Sequence, residues 1–221
     1  MKAVRSLFAE YLGTALIVAT VLGAGHMVTA LEASAALGLL MIAVCVGAVL
    51  FGTIAAFAPI SGAHFNPLVS LAFLIRGELQ AKRFFGYAIA QTLGALSAAG
   101  IANLMFDKAP FTLSTVDRIG PGIFIGEVLA TFGLLLLILL LVEKSAHLIP
   151  AAVALWIVAG HIFTSSTSFA NPAVSLGRML SDAPSSISPA SMPGYLLAQL
   201  VGLALALVAA KLLIQKKADH V

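Results

Sequence analysis

The chain has 221 residues, of which 61% are hydrophobic and only 10% charged, with a formal net charge of +3. No soluble domain of that size needs so apolar a composition for its core, which excludes a water-soluble enzyme or binding module. The single cysteine, Cys45, excludes an internal disulfide and a multi-thiol metal site, and the small basic excess reports orientation in a membrane, not nucleic-acid binding.

In chain order, apolar runs cover 8–31, 35–58, 84–106, 122–142, 148–165 and 194–214. Five of them reach about 20 residues, the length that crosses a bilayer, and the short fifth run feeds directly into "TSSTSFANPAV". The first run is too long for a signal-peptide core and lacks a small-residue cleavage site, so it is read as a span. Six spans are expected. Between spans two and three, and again between five and six, stand Asn66-Pro67 and Asn171-Pro172. Asn is a favoured N-cap and Pro is preorganised for the first helical position, so each pair predicts a helix start. About ten residues follow each pair before Arg76-Gly77-Glu78 and Ser181-Asp182, so each helix should be roughly 15 Å long and two end to end should cover the ~30 Å hydrocarbon core. Helix starts that meet in mid-membrane make sense where they line a pore.

The chain repeats itself. "GYAIAQTLGAL" at 86–96 matches "GYLLAQLVGLA" at 194–204, "EYLGT" at 10–14 matches "EVLAT" at 127–131, and the Asn-Pro pairs lie 105 residues apart. Three spans per half is odd, so the second repeat (122–221) should enter the membrane inverted relative to the first (1–106), with the solute site at their interface. The connection at 107–121 links the halves, and the whole of 1–221 is expected to be one channel domain. With six spans, one side holds Lys2, Arg5, Arg76, Lys82, Arg83, Lys144, Lys211, Lys216 and Lys217, and the other holds Lys108, Arg118 and Arg178. That asymmetry predicts both termini in the cytoplasm, and the membrane is expected to be a prokaryotic-type inner membrane.

These residues resemble the aquaporins, or major intrinsic proteins, over essentially the whole chain: the Glu-x-x-x-Thr that opens each half, "SGAHFNP", "NPA", and the Gln-bearing third span of each half. The resemblance implies an all-α bundle of six tilted helices plus two half-helices meeting at the midplane, one pore per subunit, and homotetramers.

The chemistry can be argued from the residues themselves. An Asn N-cap accepts amide bonds through its side-chain oxygen, which leaves its NH₂ to point into the pore as a donor. Asn66 and Asn171, each at the positive end of a helix dipole, should orient water and repel cations including hydronium. With Pro67, Leu68, Pro172 and Ala173 they form the expected midplane, where Leu68 replaces the family's usual Ala. The bland alternative is two Asn that merely cap buried helices. Carbonyls of 61–65 and 166–170 should supply a ladder of acceptors. His64 fits the loop pattern of the family, and the resemblance implies that it packs there and bonds to backbone, with no metal role.

Glu10 and Glu127 are ionisable groups inside spans, where function is the default reading. Either they serve a proton relay in a coupled transporter, or each carboxylate pins the loop of its own half; the symmetric placement favours pinning. For the external constriction, the family pattern points by counting to Val46, Ala159, Ser168 and Val174, with Gly160 or His161 as rivals to Ala159. Most members carry Arg where Val174 stands. A ring of small, mostly apolar side chains predicts a wider, less polar pore than a water-only channel has. Arg178, one turn beyond Val174, either guards the external vestibule or snorkels to the surface.

The expected activity is passive conduction of small uncharged solutes: water, glycerol-like polyols or neutral metalloid hydroxides such as arsenite, as in the aquaporins of arsenic-resistance operons. Two alternatives are a gradient-coupled transporter using Glu10 and Glu127 and a water-selective channel. An intramembrane hydrolase would need a nucleophile motif with a matched oxyanion site, and Ser and His near 161–168 provide none. No cofactor is expected.

Overall fold

A computed structural model describes residues 2–214; the basic pair Lys216 and Lys217 lies outside the described residues. Eight α-helices form: α1 (Lys2–Ala30), α2 (Ala35–Ser61), α3 (Pro67–Ile75), α4 (Ala81–Leu104), α5 (Pro121–Lys144), α6 (Ile149–Phe163), α7 (Pro172–Arg178) and α8 (Met192–Leu213). Six are long and apolar enough to cross a membrane once a 3-10 turn at Ala146–Leu148 is counted with α6. The protein is therefore a multi-pass integral membrane protein with an all-helical fold. The short helices are α3 and α7, of 9 and 7 residues. At about 1.5 Å per residue they total roughly 24 Å, somewhat less than the sequence reading expects, and the difference is made up by nonhelical chain at 62–66 and 164–171.

The two halves make matched contacts. α1 packs on α4 and α5 packs on α8, and a glycine opens each crossing. A Cβ on Gly94 would run into the backbone carbonyl of Tyr11, and one on Gly202 would sit 2.8 Å from the carbonyl oxygen of Val128. With no hydrophobic force between helices in lipid, close backbone approach of this kind carries much of the association. Backbone cannot retreat as a side-chain tip can. Gly94→Leu should therefore abolish the monodisperse folded species in detergent size-exclusion chromatography, whereas the same change at Gly52, where a Cβ meets nothing within 4 Å, should leave the profile intact.

At the end that carries the termini, Arg76 bonds both Glu78 and Glu143 and so ties the segment after α3 to the end of α5. At the opposite end, the linker after α4 is strapped to the loop after α7. Thr112 and Ser114 amides donate to the carbonyls of Leu180 and Met179, and the Ser188 amide donates to Val116. A buried knot of His26, Asn103 and Ser181 holds this strap to α1 and α4: Ser181 Oγ donates to Asn103 Oδ1 at 2.6 Å, and His26 Nε2 lies 3.0 Å from the same oxygen.

Candidate pore and its constriction

Each half-helix starts as an Asn-capped, Pro-initiated helix should. Asn66 Oδ1 accepts the Leu68 amide at 2.9 Å, and Asn171 Oδ1 accepts those of Ala173 and Val174 at 3.0 and 3.3 Å. The amide nitrogens do more than point into a channel. Asn66 Nδ2 donates to the carbonyl of Ala170 at 2.7 Å, and Asn171 Nδ2 donates to the carbonyl of Phe65 at 2.8 Å. One hydrogen of each NH₂ thus braces the opposite loop, which corrects the expectation that the whole group is free for solute. One N–H per Asn is left over. Pro67, Leu68, Pro172 and Ala173 do not reach the cavity described below; Leu68 and Ala173 are buried among the helices.

The loops into each Asn are bent in a way only strong supports sustain. Gly62, Ala63 and Phe65 in one, and Thr167, Ser168 and Ala170 in the other, have φ between +49° and +93°. For residues with a Cβ this left-handed backbone costs of order 1 kcal/mol or more each. The supports are the two membrane-buried carboxylates. Glu10 accepts from Ser61 Oγ (2.6 Å), the His64 and Phe65 amides (3.0 and 2.7 Å) and Gln91 Nε2 (2.8 Å). Glu127 accepts from the Phe169 and Ala170 amides (3.2 and 2.6 Å) and Gln199 Nε2 (2.8 Å). Tyr87 and Tyr195 add a bond each, to the carbonyls of Ser61 and Ser166.

Once these bonds are assigned, a symmetric remainder appears. The Phe65 and Ala170 carbonyls are taken by the Asn side chains and those of Ser61 and Ser166 by the tyrosines, but the carbonyls of Gly62, Ala63 and His64, and of Thr167, Ser168 and Phe169, have no partner among the described residues. Unpaired backbone at membrane depth is tolerated beside a water-filled cavity.

Such a cavity is present, with a volume of about 200 Å³. Its polar wall comes from the two loops and both Asn. Its apolar wall comes from residues spaced four apart, one stripe per helix: Val46, Leu50 and Ile54 of α2, Leu134, Ile138 and Val142 of α5, and Ile149, Val153 and Ile157 of α6. His64 is on the wall too. Its ring bonds Ser70 Oγ at 3.0 Å and packs against Phe73 and Tyr87, so its polar partner is a side chain and not the loop backbone. Among the described residues no three His, Cys, Asp or Glu side chains converge as a metal site.

Towards the strapped end the cavity is walled by Val46, His161, Ser168, Val174 and Arg178. Ala159 is exposed on the outer face of α6 and is not on the wall, which corrects the counted assignment. The α6 stripe of Ile157 continues at i+4 to His161, while Gly160 faces Ser168 closely. His161 Nδ1 lies 2.8 Å from the Ile157 carbonyl and must donate to it, so the neutral ring presents Nε2 as an acceptor. That Nε2 and Ser168 Oγ are both buried without a partner. Cys45, next to Val46, is exposed on the other side of α2 and neither lines the cavity nor packs in the core.

Arg178 does not snorkel. It is 2% exposed, donates from Nε to the Ser185 carbonyl at 2.5 Å, and sits over the Phe169 ring at 3.2 Å. Sequence reasoning missed its companion. Arg118, in the linker, caps the same ring from 5.3 Å and donates to the carbonyls of Ser186 and Pro184. Nothing in a linker arginine's local sequence marks a partner some 70 residues away.

Six spans with two half-helices abutting beside a two-faced cavity define a membrane protein of channel architecture. The chain belongs to the major intrinsic protein family, whose model matches residues 1–182. It is 42% identical to aquaglyceroporin AqpS of Rhizobium meliloti over 211 residues, 96% of this chain and 91% of that protein. It is 32% identical to glycerol uptake facilitator protein-like 6 of Lactiplantibacillus plantarum, covering 95% and 98% of the two chains. The X-ray structure of the aquaglyceroporin from Plasmodium falciparum shares the fold with a TM-score of 0.77 at 22% identity, covering 95% of this chain and 94% of that one.

Proposed function

We propose that the protein is a passive channel for small uncharged solutes, conducting water, glycerol-like polyols and neutral metalloid hydroxides such as arsenite while excluding protons and ions. The observation that carries this reading is the two-faced wall: on one side Gly62, Ala63, His64, Ser168 and Phe169, whose carbonyls are unpaired among the described residues, with two Asn donors, and aliphatic stripes on the other. A polyol needs both faces, one for its hydroxyls and one for its carbon chain, and its hydrogen bonds to the loops replace those it leaves in water. Val174 stands where most members carry Arg, and Arg178, the cation on that wall, is tied to the Ser185 carbonyl and the Phe169 ring, which supports passage of solutes larger than water, while His161 narrows the constriction more than Ala159 would. The remaining N–H of each Asn and the Arg178 charge disfavour cations. The same reading treats 1–106 and 122–221 as inverted repeats, puts both termini in the cytoplasm of an inner membrane, and assembles the chains as homotetramers with one pore per subunit. The likeness to two relatives named for glycerol conduction supports the solute class.

Stopped-flow measurements on reconstituted vesicles test the proposal: water, glycerol and arsenite should all cross faster than in empty vesicles, without saturation and without response to a proton gradient. Passage of water alone would overturn the polyol reading, and uphill accumulation would overturn the channel.

The carboxylates separate channel from coupled transporter further. In Glu127→Gln one acceptor oxygen becomes an NH₂ facing donors that are already buried, which costs about 1–3 kcal/mol per amide left unsatisfied. The variant should melt several degrees lower, with the flux of each folded channel still independent of pH. A normal melting temperature with altered pH dependence of flux would instead favour a proton relay.

A further inference from the structure

A second hollow, of about 700 Å³, is larger than the pore cavity. It lies at the end that carries the termini, between the start of α1, the end of α2 and the start of α4, and is lined by Arg5, Lys82, Arg83 and Gln80 with Leu7 and Ile60. Among the described residues three cations line it and no carboxylate does. Arg5 and Lys82 make no hydrogen bond or ion pair among the described residues; Arg83 touches only the Tyr87 hydroxyl, at 3.1 and 2.9 Å, and stands over its ring. The start of α4 adds to this field. Gln80 makes no side-chain capping bond, so the Ala81 and Lys82 amides of a 24-residue helix have no partner among the described residues at the positive end of its dipole. The neighbouring helix surfaces are lipid-like in character, with Phe8, Phe85 and Ile89 all more than half exposed.

We infer that this hollow is a binding site for the phosphate of an anionic phospholipid headgroup, with the acyl chains lying along the exposed apolar faces of α1 and α4. A basic pocket between spans at the level of the membrane surface suits an anionic headgroup. Like charges held together without counter-charges need an anion beside them, and the bilayer supplies one at that depth. At the opposite end Arg118 and Arg178 are already taken up by backbone carbonyls and the Phe169 ring, which leaves Lys108 as the one cation there without such a partner among the described residues.

The test titrates the delipidated full-length protein in neutral detergent with phosphatidylglycerol, phosphatidylcholine or inorganic phosphate, reading adducts by native mass spectrometry and the melting temperature in parallel. Phosphatidylglycerol should bind and raise the melting temperature, while phosphatidylcholine and phosphate at equal concentration should do neither. Each removed charge should weaken binding about fivefold, so Arg5→Gln with Lys82→Gln should weaken it about thirtyfold. That pair is chosen because neither side chain supports the fold, whereas Arg83→Gln also loses Tyr87. Lys144→Gln, an exposed cation at the same end but outside the hollow, should bind as the parent does. Unchanged phosphatidylglycerol binding in the double variant, an equal loss in Lys144→Gln, or equal binding of inorganic phosphate would each overturn the site.

Discussion

Asn171→Asp should cut glycerol flux at least tenfold, admit a proton or cation leak, and lower the stability of the folded protein by about 3–5 kcal/mol. The substitution keeps the capping oxygen that serves the Ala173 and Val174 amides. It removes the Nδ2 donor to the Phe65 carbonyl and sets a carboxylate oxygen against that carbonyl, so two acceptors face each other. A buried charge stripped of its partner costs several kcal/mol. The negative charge also cancels the positive end of α7, which in the proposed channel is what turns cations away. Asn171→Ala separates the two effects: it loses brace and cap without adding charge, so it should destabilise and slow flux but not leak. Vesicles loaded with a pH-sensitive dye, read beside light-scattering flux and a thermal melt, distinguish the variants. Asn171→Asp with parental flux and no leak would mean that the Asn pair is only a brace. Asn66→Asp should behave similarly, since Asn66 Nδ2 makes the equivalent bond to Ala170.

The elements were legible because their signals are local. Apolar runs of about 20 residues identify spans directly, and an Asn-Pro pair states both a cap and a first helical position. The helix ends are less so: α1 begins at Lys2 and α4 at Ala81, ahead of the apolar runs, because a polar turn continues the helix into the interface at no cost to its backbone bonds. Of the half-helices, α3 stops at Ile75, directly before its polar marker Arg76, whereas α7 stops at Arg178, short of Ser181-Asp182. What was not legible depends on pairs distant in sequence. Nothing near Asn66 announces Ala170, and nothing near Arg118 announces Pro184 and Ser186. Ala159 was misplaced for a related reason. Counting back from Asn171 carries a fixed loop length through 164–170, but positive φ at Thr167, Ser168 and Ala170 sets the path of that loop, and α6 reaches the wall at His161. The apolar stripe Ile149, Val153, Ile157 extended by one more turn reaches His161, so helix periodicity was the better guide than distance from the motif.

Val174→Arg should leave water permeability within about threefold of the parent while reducing glycerol and arsenite flux at least tenfold. Position 174 is on the cavity wall in the first turn of α7, facing the region bounded by Val46, His161 and Ser168. A guanidinium there meets two groups that lack partners, His161 Nε2 and Ser168 Oγ, both able to accept its N–H bonds. The side chain would therefore be held across the opening, and would fill the space an aliphatic carbon chain needs. Water, which needs only one hydrogen-bonding site at a time, still passes. Val174→Met tests size without charge: it should slow the larger solutes by a smaller factor, because no hydrogen bond fixes it across the pore. Arg178→Ala should act in the other direction, since it removes a buried side chain from the same wall and leaves only Arg118 against Phe169. Proteoliposomes carrying each variant, normalised to reconstituted protein and assayed with all three solutes, give the ordering. Undiminished glycerol flux in Val174→Arg would mean that the constriction lies elsewhere along the cavity, and the inference of a wide filter at Val174 would fall with it.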